Sequence, residues 1–422
     1  MKPPSSKPGP VRGFLSLLGP GLITGAADDD PSGIVTYSMA GAQLGMSLLW
    51  TALLTWPLMA AVQMMCARVG LVSGVGLAGA LRKKFPRSLL IVAALSLFIA
   101  NTINVSADLS GMAEVMQMLT GIHSRIFIVL FGCAIIFATV RFPYKAIASI
   151  LKWLAAVLFA YVITAFIVRP HWPTVLAATF LPHWPASHAQ WTTLVAILGT
   201  TISPYLFFWQ ASQEIEEEKT KGRRTEASRR GSPAAALKNR ALDVGVGTFF
   251  SNFIMYFIIL TTAITLHQHG ITHLESSRDA VQALRPLAGN FAALLYSMGL
   301  IGVGFLAIPT LAGSSAYAFS ETFGWRQGLD QKLWRARAFY GVLTCSIIVG
   351  MVLSFTSINP MDALFLTAVI NGVLAPFLLV GILAVACDRA IMQNQPSSML
   401  ARVAVAVTTA GMFGAALALF LL

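Results

Sequence analysis

The chain has 422 residues, 56% of them hydrophobic and only 11% charged, where soluble domains carry about 25% charged residues. That balance excludes an ordinary soluble enzyme and describes an integral membrane protein. The net charge of +12 could point to nucleic acid, but the placement of the basic residues explains the excess without any nucleic-acid partner.

Residues 1–12, rich in Pro, Ser and Lys, read as a disordered cytoplasmic N-terminus. A basic start before an apolar run resembles a signal peptide, but this run meets Asp28–Asp30 and continues as a membrane segment. Residues 13–422 then read as one transmembrane domain. Eleven apolar segments approach the ~20 residues a crossing needs: 14–45, 47–67, 88–118, 124–141, 145–168, 189–212, 243–266, 288–319, 336–356, 361–386 and 400–421. With the N-terminus inside, 25 of the 29 Lys and Arg residues face the cytoplasm, and only Arg125, Arg169, Arg278 and Arg285 lie outside. The C-terminus is then outside, and the protein is placed in the plasma (inner) membrane. The cysteines Cys66, Cys133, Cys345 and Cys387 show no metal-ligand or disulfide spacing.

The first segment holds the run GPGLITGAADDDPSG, residues 19–33, with Asp28, Asp29 and Asp30 directly before Pro31. A carboxylate at membrane depth costs at least ~2.5–3.5 kcal/mol, so it faces a cavity or a partner. Proline and glycine break the helix here, and a broken helix is tolerated where its bare carbonyls line a polar cavity. Carboxylates beside free carbonyls suit a hard cation. Asp30, where the helix ends, is the expected direct ligand. Asp29 and Asp28 point ~100° and ~200° away and are expected beside the site or in its vestibule. The competing reading is a hydrogen-bonded cluster that only shapes the break.

Segment 6 is interrupted at Gly199–Pro204. Thr200, Ser203 and Tyr205 offer hydroxyls there, and Pro204, lacking an N–H, leaves the Thr200 carbonyl free. No Met, Cys or His occupies either break, so oxygen is the ligand type, as Mg, Ca and Mn prefer. Ser203 could instead be a small residue for helix packing. Five segments separate the breaks, so two halves, about 13–168 and 189–386, run in opposite directions, with 400–421 as an extra helix. Such an inverted repeat marks a secondary transporter with its site at the midplane.

Residues 213–242 read as a long cytoplasmic loop, solvated and basic, whose Glu214, Glu216, Glu217 and Glu218 could line an exit vestibule. Asp108 and Asn371 are polar groups deep in apolar runs, a candidate relay and a candidate amide ligand, or else partners in interhelical hydrogen bonds. Asn101, Asn104 and Asn252 read as structural. All seven histidines fall in expected outside loops and read as interfacial or solvated.

The runs GPGLITGAADDDPSG, GAQLG (Gly41–Gly45), LLW (Leu48–Trp50) and GTTISPYLFFWQAS (Gly199–Ser212) resemble the NRAMP family of divalent metal transporters. The resemblance implies an all-α membrane protein of 11 helices, with a LeuT-type 5+5 inverted repeat and broken helices 1 and 6. It implies that Asp30 is the site aspartate and that the Thr200 carbonyl is a ligand. The family's asparagine falls on Gly33, its methionine on Ser203 and its histidine on Tyr205. Its segment-3 aspartate falls on Asp108, its proton-linked glutamate on Gly111, and its paired arginines resemble Arg335 and Arg337. The segment-10 glutamine has no clear counterpart, and Asn371 lies about a turn away. Losing the thioether favours a hard, partly hydrated ion, as in a related subgroup that transports magnesium. The expected activity is Mg²⁺ and Mn²⁺ uptake with weak or no proton coupling, in a protein that is no enzyme and holds no cofactor, with metal ions and the lipid bilayer as partners. The alternatives are a proton-coupled Mn²⁺/Fe²⁺ importer, for which Asp108, Arg335 and Arg337 speak, and an organic-cation or amino-acid carrier of the same fold. An intramembrane enzyme is disfavoured, since neither a zinc helix nor a nucleophile elbow is present.

Overall fold

The computed structural model describes residues 20–142, 156–356 and 358–421. The expected disordered tail, the start of the first segment and the first part of the fifth, with Lys145 and Lys152, lie outside these. Among the described residues the chain is helical, without strands. In order come α1 (Pro20–Asp28), α2 (Pro31–Leu44), α3 (Trp50–Ser73), α4 (Leu77–Leu81), α5 (Arg87–Thr120), α6 (Ser124–Arg141), α7 (Phe159–Ile167), α8 (Trp172–Phe180) and α9 (His188–Thr201). There follow α10 (Pro204–Thr220), α11 (Glu226–Arg229), α12 (Ala234–Thr265), α13 (Ser277–Gln282), α14 (Arg285–Ala288), α15 (Ala292–Phe323), α16 (Arg337–Leu353), α17 (Pro360–Ala386) and α18 (Met399–Leu421).

Eight helical runs among the described residues are long and apolar enough to cross a membrane. The other three expected segments are accounted for differently. The first is split into α1 and α2, the fifth is described only from residue 156, and the ninth is the 17-residue α16. The surface is inverted relative to a soluble protein: Val92, Ile99, Phe137 and Phe377 are each more than half exposed, while Asp28, Asn104, Asp108 and Glu214 are fully buried. Lipid, not water, is the solvent such a surface requires.

Both interrupted helices restart in the same way. Asp30 and Ser203 each hold an extended backbone immediately before a proline at the first helical position, where its missing N–H costs nothing. Asp30 caps α2 by accepting the Gly33 N–H at 2.7 Å. The long α12 packs against both α1 and α2, while α10 packs on α3 and α15, and α9 on α17. The α1–α12 contact is backbone on backbone: a Cβ at Gly25 would lie 2.4 Å from the Gly247 carbonyl oxygen.

The stretch 213–242 is not the solvated loop that its charge suggests. Helix α10 continues to Thr220 and α12 begins at Ala234, with the short α11 between them. Glu214, Glu216 and Glu218 are buried. Arg240, at the start of α12, forms ion pairs with Glu214 at 2.8 Å, with Asp243 at 2.5 Å and with Glu217. The Gln210 amide donates to Glu214 at 2.7 Å, and Asp243 accepts the Gly21 N–H at 2.8 Å. One guanidinium thus joins the ends of α10, α12 and α1. The sequence pattern missed this because consecutive charges read as solvated when their partner lies 23 to 26 positions away.

Arg240→Met leaves buried carboxylates without their counter-charge and is expected to cost about 3–5 kcal/mol. Thermal melting of the purified protein in detergent checks this. Adding Glu214→Met to the same chain should recover part of the loss, and equal melting of wild type and Arg240→Met would contradict the reading.

Candidate metal site

The two breaks meet. A Cβ built on Gly33 would stand 3.0 Å from the Thr200 hydroxyl oxygen, 3.4 Å from the Asp28 carbonyl oxygen and 3.4 Å from Asp30 Oδ1. Only a glycine fits without a shift, and three oxygens close in on it, two from the first break and one from the second. The Tyr205 hydroxyl donates to the Ala27 carbonyl at 3.0 Å, a second tie between the breaks that occupies one bare carbonyl at the end of α1.

Asp30 is buried and firmly held. Its Oδ1 accepts the Ser32 hydroxyl and the Gly33 N–H, each at 2.7 Å, and its Oδ2 accepts the Asn104 amide at 3.1 Å. Capping and metal binding are compatible, because a carboxylate offers about four lone-pair directions and three are in use. Ser203 is differently engaged: its hydroxyl donates to the Gly199 and Thr200 carbonyls, both at 2.7 Å. The Thr200 carbonyl expected to be bare is thus half satisfied, with one lone pair left. Proline removed the backbone donor and serine supplies a replacement.

Asp28 and Asp29 share the Ser251 hydroxyl of α12, at 2.5 Å and 3.1 Å. A hydroxyl has one proton to donate, so Ser251 cannot bond both carboxylates fully at once. Asp28 Oδ1 is buried with no partner among the described residues.

Asn104 and Asp108 lie one turn apart on the same face of α5. Both Asp108 oxygens are buried, facing the charge of Asp30 and the Ser32 backbone N–H at the first break, and neither forms a close hydrogen bond among the described residues. Asn371 on α17 is also buried, its amide oxygen unpartnered, on a helix packed against α2 and α9. Arg335 and Arg337 are not brought to Asp108. Both are exposed at the start of α16, whereas the level of Asp108 is that of Ser354, which contacts Ser106 just past the other end of α16. Seventeen helical residues separate Arg337 from Ser354, about 25 Å, too far for a direct relay.

Asn104 was read from the sequence as structural, yet it is the residue of α5 bonded to Asp30; an amide in an apolar run carries no pattern that names its partner. Asn101 and Asn252 do serve packing, the first bonding Leu311, Ser314 and Ser315, the second Thr55. Met112 was also overlooked. A Cβ on Gly304 would lie 2.4 Å from its sulfur and 3.3 Å from Pro31 Cγ, so one thioether sits near the first break. Among the described residues no three His, Cys, Asp or Glu side chains converge as a metal cage. An open set of carboxylate, carbonyl, hydroxyl and amide oxygens suits an ion that must also leave.

The family model for natural resistance-associated macrophage protein-like sequences (Nramp) matches residues 21–422. The divalent metal cation transporter MntH of Aeromonas hydrophila is 25% identical over 410 residues, 94% of each chain. The MntH of Caldanaerobacter subterraneus is 24% identical over 404 residues, 93% of this chain and 90% of its own. Among solved structures, the Eremococcus coleocola manganese transporter superposes with a TM-score of 0.73 at 16% identity, covering 98% of this chain and 87% of that one. MhsT in complex with L-phenylalanine superposes at 0.63 with 14% identity, covering 95% and 97%. These likenesses give the LeuT-type fold, and the two breaks fall in the first and sixth of the expected segments.

Asn104→Leu removes the amide that fixes Asp30 Oδ2. Losing such an outer partner is expected to raise the metal concentration for half-maximal uptake by about 10–100-fold. Metal-dye traces in proteoliposomes check this, and an unchanged concentration would leave Asn104 a packing residue.

Proposed function

Because the chain belongs to the Nramp family, we propose that it is a divalent metal cation transporter that takes up Mg²⁺ and Mn²⁺ with weak or no proton coupling. The supporting observation is the convergence on Gly33 of the Thr200 hydroxyl, the Asp28 carbonyl and Asp30 Oδ1, oxygens from both breaks. Asp30 supplies the charge, Thr200 and the Asp28 carbonyl supply neutral oxygens, and Asn371 an amide oxygen from the facing helix. Magnesium dehydrates reluctantly and keeps several waters. A glycine at position 33 and a serine at 203, where the resemblance places asparagine and methionine, take away two side-chain ligands that would compete with those waters. Asp28 and Asp29, held on Ser251, form the inner side of the path. The membrane potential, at ~2.3 kcal/mol per charge per 100 mV, drives a divalent ion inward.

We further place the N-terminus inside and the C-terminus outside, with repeats at about 13–168 and 189–386 and an extra helix at about 400–421; the distribution of Lys and Arg supports this. An amino-acid carrier of the same architecture fits less well. Such carriers direct a half-helix N-terminus at the substrate carboxylate. Here Asp30 already occupies the N-terminus of α2.

A second reading, a proton-coupled Mn²⁺ or Fe²⁺ importer, draws on two observations. Met112 places a soft sulfur near Pro31, and Asp108 is a buried carboxylate beside the first break with no cationic partner among the described residues. The curated relatives are divalent metal cation transporters by name, which fits either reading.

Proteoliposomes with internal Mg²⁺-, Mn²⁺- and pH-sensitive dyes separate the two. The first reading predicts entry of both metals, mutual competition, no acidification in step with metal, and loss of flux in Asp30→Ala. Mn²⁺ entry that Mg²⁺ neither follows nor inhibits would refute it, and acidification matching metal entry would refute its uncoupled part.

A further inference from the structure

A cavity of about 350 Å³ opens where the α3–α4 connection meets the ends of α10, α11 and α15. Four cations line it, Arg82, Lys219, Arg229 and Arg326, with one carboxylate, Glu321. That carboxylate is engaged: it accepts the Gly79 N–H at 2.9 Å and the Gln327 amide at 2.8 Å. Lys219 is paired with Glu216 at 2.7 Å. Among the described residues Arg82, Arg229 and Arg326 take part in no ion pair within 4 Å.

Arg229 is the unusual member. It is 8% exposed, and the bonds it donates go to main-chain carbonyls of Gly74, Arg223 and Arg224. The carboxylates of Glu216, Glu226 and Glu218 attract it, but none lies within 4 Å, so no acidic group bonds this buried guanidinium directly. The three carbonyls fix its position through Nε and Nη1 and leave the two N–H groups of Nη2 to meet an anion. Arg82 and Arg326 are exposed on the same cavity and can close over an anion. Trp325, 40% exposed, forms part of the rim.

We infer that this cavity binds a phosphate group, with Arg229 at its floor and Arg82 and Arg326 above. Basic pockets between helix ends on the cytoplasmic side receive phosphorylated headgroups, and the cavity lies at the end of the bundle where Lys and Arg concentrate. The group can come from an anionic phospholipid or from dissolved phosphate. Either way it bears on transport: Ile215 and Lys219, in one wall, belong to α10, the half-helix that begins at Pro204. An anion held between Lys219 and the arginines fastens α10 to the end of α15.

The test melts the full chain in detergent with dioleoyl phosphatidylglycerol, dioleoyl phosphatidylcholine or inorganic phosphate, beside the double variant Arg82→Gln/Arg326→Gln. Its probe-free melting point shows whether the variant folds normally. Wild type should gain roughly 2–4 °C with phosphatidylglycerol over phosphatidylcholine, and the variant should lose most of that gain. A gain with phosphatidylglycerol alone identifies a lipid headgroup, and one with inorganic phosphate as well identifies dissolved phosphate. Equal gains in wild type and variant, or no gain with either anionic probe, would overturn the inference.

Discussion

Two helices are cut at the same level of an apolar bundle, and the polar groups bared there must be satisfied without bulk water. The chain meets most of that demand from within. Asp30 caps the restart of α2, Ser203 covers the Gly199 and Thr200 carbonyls, and Tyr205 covers the Ala27 carbonyl. The amide oxygens of Asn104 and Asn371 and Asp28 Oδ1 are left over among the described residues, and the Asp108 carboxylate has at most the Ser32 N–H. Buried oxygens without donors cost free energy, and a cation is what such a set lacks. The polarity of the site therefore follows from how the breaks are capped, before any cargo is considered.

The same breaks divide the molecule into elements that can move separately. Helix α1 rests on α12 by glycine contact, and its first turn is tied to Asp243. Asp243 in turn pairs with Arg240, which holds the far end of α10. Helices α1 and α10 are thus fastened to one post by one guanidinium. The cluster and the breaks hold the same two helices from opposite ends.

The sequence made the breaks legible because Asp-Pro and Ser-Pro inside apolar runs leave few local solutions. Asp108 was legible as a buried charge for the same energetic reason. Other features were not. Asn104 bonds a residue 74 positions away, and Ser251 meets the acidic pair across more than 220. Glu214 and Arg240 read as solvated because charge runs are usually exposed, and only tertiary packing shows that they neutralise each other. Arg335 and Arg337, carried over by resemblance, lie at the wrong end of α16, since a helix fixes level by residue count and not by composition.

The central claim is that an ion is held between the two breaks, with Asp30 as its charged ligand and oxygen atoms around it. The most direct measurement is the anomalous difference signal of Mn²⁺ in crystals of the purified protein. The account predicts a peak beside the Asp30 carboxylate, in direct contact at about 2.0–2.6 Å or one water removed, with Thr200 on its other side. A sole peak on Asp28 and Asp29 at Ser251, or on the sulfur of Met112 away from Asp30, would contradict it.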